Sequence, residues 1–397
     1  MVKSFQFSVF SFEISKLKTE NSYPVNSFLR ESKLSIEPCV PRAHVKVAAR
    51  MSGAGLFVIV NNVAARAREA WPRVRETLVS AGVEFEAHES SRPGETEERT
   101  RAGLRQGFET IAVVGGDGTL SAAANGYFET CDRLSEDESP RAVNPLAALA
   151  VLPAGTGDDF ARGLSGGRRD PLEAWLARLI AHCRRDADNP SRDVAKTLDE
   201  SVAGSYQSTT TRSVDVLLGS AGAGGRRFIC LNAATLGIGA EVAARVAAQG
   251  ASVRRLPGEA RFALAAVGSL AAWRNRRVRV SVDGRVWEEC GTNLIAIING
   301  TYAGGGMNFS PEASLTDGLL DVLTVCGISR AGLVRELARI HSGGHLSNPK
   351  VKLTRGLRVH IEMLDDAESL GIEADGDLRG RTPAEFRVIP AALRVVF

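Results

Sequence analysis

Two short stretches of this chain combine glycine, a hydroxyl and an acid in an order that suits phosphate chemistry. The first is Gly115-Gly116-Asp117-Gly118-Thr119, set between a β-branched apolar run (110–114) and a segment of helical pattern (120–128). Glycine permits positive φ and close backbone approach to a ligand. A helix start behind it offers free N–H groups and a positive dipole end to an anion. Phosphate fits that geometry. Asp117 would repel a bare phosphate, so its carboxylate faces a metal ion or the hydroxyl that accepts phosphate. The plain alternative is a tight strand-to-helix turn whose acid caps the helix. The second stretch, Gly155-Thr156-Gly157-Asp158-Asp159, follows an apolar run (147–152) broken by Pro153 and again leads into a helical segment. A third, Asp375-Gly376-Asp377, contains the Asp-Gly pair of a two-residue hairpin turn.

Strands must hold these turns. Residues 56–62 read as a first strand ending in a polar turn at Asn61. Residues 64–81 read as a helix with Ala67, Trp71, Val74, Leu78 and Val79 apolar, 83–87 as a short strand, 90–94 as a turn and 95–108 as a second helix. The alternation predicts a doubly wound α/β domain over 55–185, with a mostly parallel sheet and helices on both faces. Ligands sit at the carboxyl ends of such strands, so Asn61, the 115–119 turn and the turn after Leu152 should share one edge. A helix over 172–183 precedes a polar stretch, 186–212, that reads as a linker or surface insertion. Beyond it strands dominate (227–232, 277–282, 293–298, 320–325, 357–362, 386–389), with helical patterns at 240–248 and 261–273. A predominantly antiparallel, β-sandwich-like C-terminal domain over 213–397 follows, its last strand free to return to the first domain.

The length of 397 residues suits two or three domains, and 44% apolar residues suffice for a core. A net charge of +3 is too small to argue for nucleic acid. No apolar run reaches the roughly 18 residues of a membrane span. The six cysteines are scattered without a C-x-x-C pair and read as reduced, mostly buried thiols of a cytoplasmic protein. His341 and His345 are four apart, but Ser-Gly-Gly between them argues for core or surface roles over metal ligation. Residues 1–54 stand apart: they hold Lys3, Lys16, Lys18, Lys33 and Lys46, whereas only Lys196, Lys350 and Lys352 follow. With no signal-peptide core, they read as a poorly ordered extension, either an upstream start ahead of Met51 or a targeting segment. Finally, Arg254, Arg255, Arg261, Arg274, Arg276 and Arg277 flank the apolar Phe262, Leu264, Val267, Leu270 and Trp273. That pattern makes either a core-packing helix with solvated ends or a basic amphipathic surface for an anionic membrane.

The stretches 113–126 and 152–162 together resemble the diacylglycerol kinase catalytic domain family, which takes in bacterial diacylglycerol kinases, related lipid kinases and sphingosine kinases. The resemblance continues in order through 228–242, 299–322, 373–378 and 386–393, and so spans residues 55–397. Several motifs in order are far more specific than any one. The chain departs from the pattern at Asp158, where the family has Asn; at Asn61-Asn62-Val63-Ala64-Ala65, where it has Asn-Pro-x-x-Gly; and at Asp377, where it has Glu.

The resemblance implies an ATP- and Mg²⁺-dependent lipid kinase that moves the γ-phosphate to the hydroxyl of a lipid such as diacylglycerol. Phosphoryl transfer needs a held nucleotide, neutralised charge and a positioned acceptor. The implied nucleotide positions are Asn61, Gly115, Gly116, Asp117, Gly118, Thr119, Thr156 and Ser91, with Ser90 as the adjacent choice. Asp117, Asp159 and Asp215 would organise Mg²⁺ through water. Asp317, the Leu319 carbonyl and Ser314 would hold a second, structural metal. Asp375 would be the general base on the acceptor, with Asp117 and Asp377 completing the catalytic acids. The implied partner is a membrane lipid reached by peripheral contact at the inner, cytoplasmic surface, with no nucleic acid and with a homodimer left open. Two other functions compete. A NAD kinase-like dinucleotide kinase shares Gly-Gly-Asp-Gly-Thr, but the 152–156 motif, Asp215 and Asp375 favour the lipid kinase. A catalytically inactive lipid-kinase-like binding protein would suit the departures at Asn62, Asp158 and Asp377, but has no need of Asp117 and Asp375.

Overall fold

The computed structural model describes residues 55–129, 138–188, 210–222, 225–254, 256, 258–365 and 367–397. The extension (1–54), most of the 186–212 linker, Cys39, Cys131 and Arg255 lie outside the described residues, as do the side chains of Arg254 and Phe262.

The first half is built on β1 (Leu56–Asn61), α1 (Ala65–Ser80), β2 (Phe85–Ser90), α2 (Glu95–Arg105), β3 (Thr110–Gly115), α3 (Asp117–Tyr127), β4 (Ala148–Pro153), α4 (Asp159–Leu164) and α5 (Leu172–Asp188). The strands pair in parallel in the order β2-β1-β3-β4, with Leu56 opposite Phe85 and Thr110, and Thr110 opposite Ala148. Val58, Ile59 and Val60 are all fully buried, because helices cover both faces of the sheet. α1 and α5 meet through Arg73–Glu173 and an Arg184–Ala81 carbonyl bond, and α2 and α3 lie together where Gly126 meets the Glu97 carbonyl. Two boundaries differ from expectation for local reasons. Val83 closes the turn behind α1 by bonding the Leu78 carbonyl, so β2 starts at Phe85. Gly107, at φ +95°, ends α2 early and frees Phe108 to stack on Phe57 at 5.2 Å.

The second half comprises β5 (Thr211–Ala221), β6 (Arg227–Cys230), β7 (Ala233–Gly237), α6 (Ile238–Ala247), α7 (Gly258–Ala272), β8 (Arg276–Val282), β9 (Arg285–Ile298) and the two-residue pair β10 (Tyr302–Ala303) and β11 (Met307–Asn308). There follow β12 (Leu320–Cys326), α8 (Arg330–Arg339), β13 (Val351–Gly356), β14 (Arg358–Met363), β15 (Gly371–Ala374), β16 (Asp377–Arg381) and β17 (Ala384–Val396). The pairings are antiparallel. One run is β6-β5-β17-β14-β8; the other is β16-β15-β7-β9-β12-β13; β8 and β9 join them. Val280, Val359 and Phe386 of the first run and Ile295, Ile297 and Ile372 of the second share one core. The opposite faces of β9 and β12 (Ala296, Ile298, Leu323) bury against Ile328 and Ile340, beside α8. β17 also runs beside β4 in parallel, at Val395–Leu149, so the last strand belongs to both halves.

The cysteine expectation is corrected here. Cys290 and Cys326 form a disulfide, while Cys230 is a buried free thiol. The two partners are 36 residues apart in sequence, but the register of β9 and β12 shifts at Val325/Cys326 and brings them side by side.

Candidate active site

The two glycine-rich turns touch backbone to backbone at the carboxyl edge of β3 and β4. A Cβ on Gly155 would lie 2.5 Å from the Gly116 Cα, and one on Gly116 would lie 2.9 Å from the Gly155 Cα. No side chain fits at either position, which accounts for the glycines. Asn61, at the end of β1, joins them: its Nδ2 donates to Thr119 Oγ1 at 2.8 Å, while its Oδ1 accepts from the Val63 and Ala64 N–H groups at the start of α1. Thr156 is exposed in the second turn. Of the two serines after β2, Ser90 is buried and donates to the Val60 carbonyl, while Ser91 is the exposed one.

Asp117 does cap a helix, though not its own. Its two oxygens accept from the Asp159 and Phe160 N–H groups, each at 3.0 Å, and so cap α4 of the second turn. Asp159 is buried. One of its oxygens accepts from the Gly305 N–H at 2.7 Å, and the other is sealed from solvent with no hydrogen-bond partner. Asp158, in the left-handed region at φ 51°, accepts from the Gly155 N–H at 2.9 Å. Burial, and next Asp117, push the Asp158 carboxyl up to about 6, and the same two causes raise Asp159. A Cβ on Gly157 would sit 3.1 Å from Asp117 Oδ2 and 3.2 Å from Asp159 Oδ2, so both oxygens border one small space that only glycine leaves open. The Asp117 and Asp159 carboxylates, with the orphaned buried oxygen of Asp159, are hard-oxygen donors of the kind a divalent cation takes.

Beside the acids lies a basic wall that sequence reasoning missed. A pocket of about 130 Å³ is lined by Arg66, Thr156, Arg162, Arg168 and Arg169. Arg66 Nη1 donates to the Gly155 carbonyl at 2.7 Å, and the Arg162 guanidinium lies 4.0 Å over the Tyr302 ring. In a chain whose cations are nearly all arginine, no spacing singled these out.

Asp375 and Gly376 are the central residues of the β15–β16 hairpin, with φ values of 49° and 94° that an Asp-Gly pair accommodates. The Asp375 carboxylate accepts from the Leu231 N–H at 2.7 Å, the Asn232 N–H at 2.9 Å and Ser121 Oγ at 2.8 Å, with the Cys230 thiol at 3.4 Å. Burial raises its pKa, and the Leu231 and Asn232 N–H groups oppose that. Ser121 and Asn125 lie one turn apart on α3 and both reach the second half, Asn125 by a reciprocal pair with the Ile229 backbone at 2.9 Å. Asn232 spans the two acids: its N–H serves Asp375 and its Nδ2 reaches Asp117 Oδ1 at 3.5 Å. The 228–242 stretch was visible as a motif, but backbone donors carry no signal in residue type.

Asp377, Asp215, Asp317 and Ser314 stand elsewhere. Asp377 does not join Asp375: it opens β16 beyond the Asp375–Gly376 turn, exposed and next to Arg379 at 3.4 Å. The inward acid is Glu373, which accepts from Thr235 Oγ1 and the Gly376 N–H, each at 2.5 Å, and whose carboxyl is pushed up to about 7, chiefly by burial. Asp215 is buried, but its oxygens are taken by the Gly318 and Ala391 N–H groups, both at 2.7 Å. It pins the 314–319 loop to the bulge of β17. In that loop Asp317 accepts from the Leu319 N–H at 3.0 Å and Ser314 Oγ from the Thr316 N–H at 3.3 Å, two local turns on an exposed segment. His345 is buried against the Phe309 carbonyl and His341 bonds the Gly306 carbonyl, as core and loop supports.

Comparison with known proteins matches both halves of the chain. Residues 55–189 match the diacylglycerol kinase catalytic domain, and residues 234–397 match the YegS C-terminal NAD kinase beta sandwich-like domain. The chain is 30% identical over 317 residues to the Probable lipid kinase YegS-like of Pseudomonas aeruginosa (strain UCBPP-PA14), covering 79% of this chain and 85% of that protein. It is 24% identical over 316 residues to the Diacylglycerol kinase of Bacillus subtilis (strain 168), covering 79% and 86%. Its fold is similar to the crystal structure of a diacylglycerol kinase from Bacillus anthracis str. Sterne, with a TM-score of 0.55 at 18% identity over 86% of this chain and 96% of the other. With its motifs in order, both domains matched and that fold in common, the chain belongs to the family of diacylglycerol kinases and YegS-like lipid kinases.

Proposed function

We propose that this protein transfers the γ-phosphate of ATP, with Mg²⁺, to the hydroxyl of a membrane lipid such as diacylglycerol. The observation that carries the reading is a contiguous series of contacts: the arginine-lined pocket that includes Asp158, then Asp159 and Asp117, then Asn232, then Asp375. Such a series suits a polyphosphate at one end and a hydroxyl acceptor at the other.

Arg66, Arg162, Arg168 and Arg169 would hold the polyphosphate, and the Gly116 and Gly155 turns would let the backbone approach it. Asp117 and Asp159 would hold Mg²⁺, which supplies neutralisation of the charge developing on the transferred group. In the displacement the acceptor oxygen forms a bond to Pγ, the bond from Pγ to the bridging oxygen breaks, and ADP leaves. Asp375 would take the acceptor proton. Its raised pKa makes it a stronger base than an ordinary carboxylate, while the Leu231 and Asn232 N–H groups fix its orientation.

The dinucleotide-kinase and inactive-protein readings are not favoured, because the matched relatives are named as lipid kinases and the acids are in place. None of the described helices is long and apolar enough to cross a membrane, which suits peripheral contact at the cytoplasmic surface. The test is transfer of label from γ-labelled ATP across diacylglycerol, a sphingoid base and NAD. Label in a lipid supports the proposal, and label in NAD alone overturns it.

A further inference from the structure

We propose that Cys290, Cys326 and Glu288 form a zinc site in the reduced chain, with the disulfide as its oxidised, metal-free counterpart. The two sulfurs and a Glu288 carboxylate oxygen lie within 4.8 Å of one another, and all three residues are half-buried. Glu288 and Cys290 stand two apart on β9, opposite Val280 and Val278 of β8, so strand alternation sets both on one face. The register shift between Val325 and Cys326 brings the third donor in from β12. Paired strands therefore hold the whole set.

Two thiolates and a carboxylate are donors of a zinc site that keeps its fourth place for water. Zn–S bonds of about 2.3 Å at a tetrahedral angle separate two sulfurs by about 3.8 Å. The Cβ atoms of a disulfide pair are already about 3.8 Å apart, so roughly parallel Cβ–Sγ bonds reach that separation with both strands in place. The redox step balances. Two electrons from a small thiol reductant break the Sγ–Sγ bond, the reductant leaves as its own disulfide, and both cysteines become thiols. Zinc then displaces their two protons. Where small thiols keep such pairs reduced, the dithiol is the resident form.

The neighbours fit this chemistry. Of the three lysines after residue 54, two stand beside the pair. Lys350 Nζ donates to the carbonyl of Gly327, next to Cys326, and Lys352 Nζ donates to Glu288 Oε2 at 2.5 Å. Basic neighbours favour the thiolate form that a metal takes. The Glu288 side chain is 13% exposed and that of Lys352 55%. Lys352 thus holds a single positive charge on the acid that a divalent cation would claim, and its flexible stem lets the ammonium swing out to water. Cys290 lies nine residues before Asn299, whose Nδ2 donates to the Leu231 carbonyl behind Asp375. Along an extended strand that is roughly 30 Å, so the site is separate from the transfer chemistry.

The test uses the full chain, reduced with a phosphine, stripped of metal by a chelator and titrated without oxygen. Reduced wild type should bind Co²⁺ with a sulfur-to-cobalt charge-transfer absorption that one equivalent of Zn²⁺ abolishes. Carboxylate sites give no such absorption. The same chain with its disulfide intact should lack it, a comparison that involves no variant and so no question of folding. Cys290→Ser/Cys326→Ser should lose it too. Against a chromophoric chelator, Glu288→Gln should bind Zn²⁺ about tenfold or more weakly, and Lys352→Met about tenfold more tightly. No charge-transfer absorption in reduced wild type would overturn the site, as would the same absorption in the disulfide form or in the double cysteine variant. Unchanged Zn²⁺ affinity in Glu288→Gln or Lys352→Met would overturn the three-donor set.

Discussion

Asp375→Asn separates base chemistry from architecture, and the structure shows that the change is not silent. The carboxylate accepts three short bonds, from Leu231 and Asn232 N–H and from Ser121 Oγ. An asparagine offers one acceptor oxygen and an NH₂ group. With its oxygen kept for Leu231 and Ser121, the NH₂ meets the Asn232 N–H, and a buried donor loses its partner. Losing one charge-assisted bond and stranding that donor costs about 2–4 kcal/mol. We therefore expect a melting temperature lower by several degrees, together with a turnover loss of about a hundredfold or more from the missing base. Ser121→Ala is the control: it removes one donor from the same carboxylate, keeps the base, and should cost about 1 kcal/mol and less than tenfold in turnover. Thermal unfolding, calorimetric ATP affinity and lipid turnover are measured on both variants. If ATP affinity falls in step with turnover in Asp375→Asn, the residue serves the nucleotide. If Ser121→Ala matches Asp375→Asn in turnover, the loss is architectural.

Glu373→Gln addresses pH. An acid whose folded pKa is about 7 against an ordinary 4.5 binds more protons folded than unfolded between those values, so it costs stability as pH rises from about 4.5 to 7. The glutamine should be more stable than wild type at pH 8, by up to roughly 3 kcal/mol, and no more stable at pH 4; urea unfolding giving the same difference at both would refute it. Asp158→Asn removes one of three crowded acids, so it should raise the metal-free melting temperature and weaken the response of that temperature to Mg²⁺; an unchanged Mg²⁺ response would show that Asp158 stands outside the cation site. Arg66→Ala and Arg169→Ala should each raise the KM for ATP about tenfold with kcat little changed, and steady-state kinetics giving an unchanged KM would remove the pocket from the nucleotide site.

What the sequence disclosed depended on whether the cause was local. β1, β3 and β4 were legible because their residues are buried on both faces and read as unbroken apolar runs. β9 was legible only over its second half, since residues 285–291 pair with β8 on a half-exposed face and alternate weakly. β13, β15, β16 and α8 were missed for similar reasons: arginine, lysine and glycine fill them, and pairing across the sheet decides their form. Within the site, glycines and acids were visible because turns demand them. What joins them was not, because Leu231 and Asn232 act through backbone N–H groups and Ser121 sits 254 positions from its partner. The same distance effect hid the Cys290–Cys326 pair. Asp377 stands away from the cleft because the turn at Asp375 and Gly376 intervenes before β16 begins on an exposed edge.

The most direct measurement is label transfer from γ-labelled ATP to diacylglycerol in mixed micelles, for wild type and Asp159→Asn, with and without Mg²⁺. Asp159 carries the buried unpartnered oxygen, and its removal leaves Asp117 still capping α4. Labelled phosphatidic acid is expected from wild type only with Mg²⁺, and a loss of about a hundredfold or more in a folded Asp159→Asn. Transfer that proceeds equally without divalent cation, or at the wild-type rate in Asp159→Asn, would contradict the assigned chemistry.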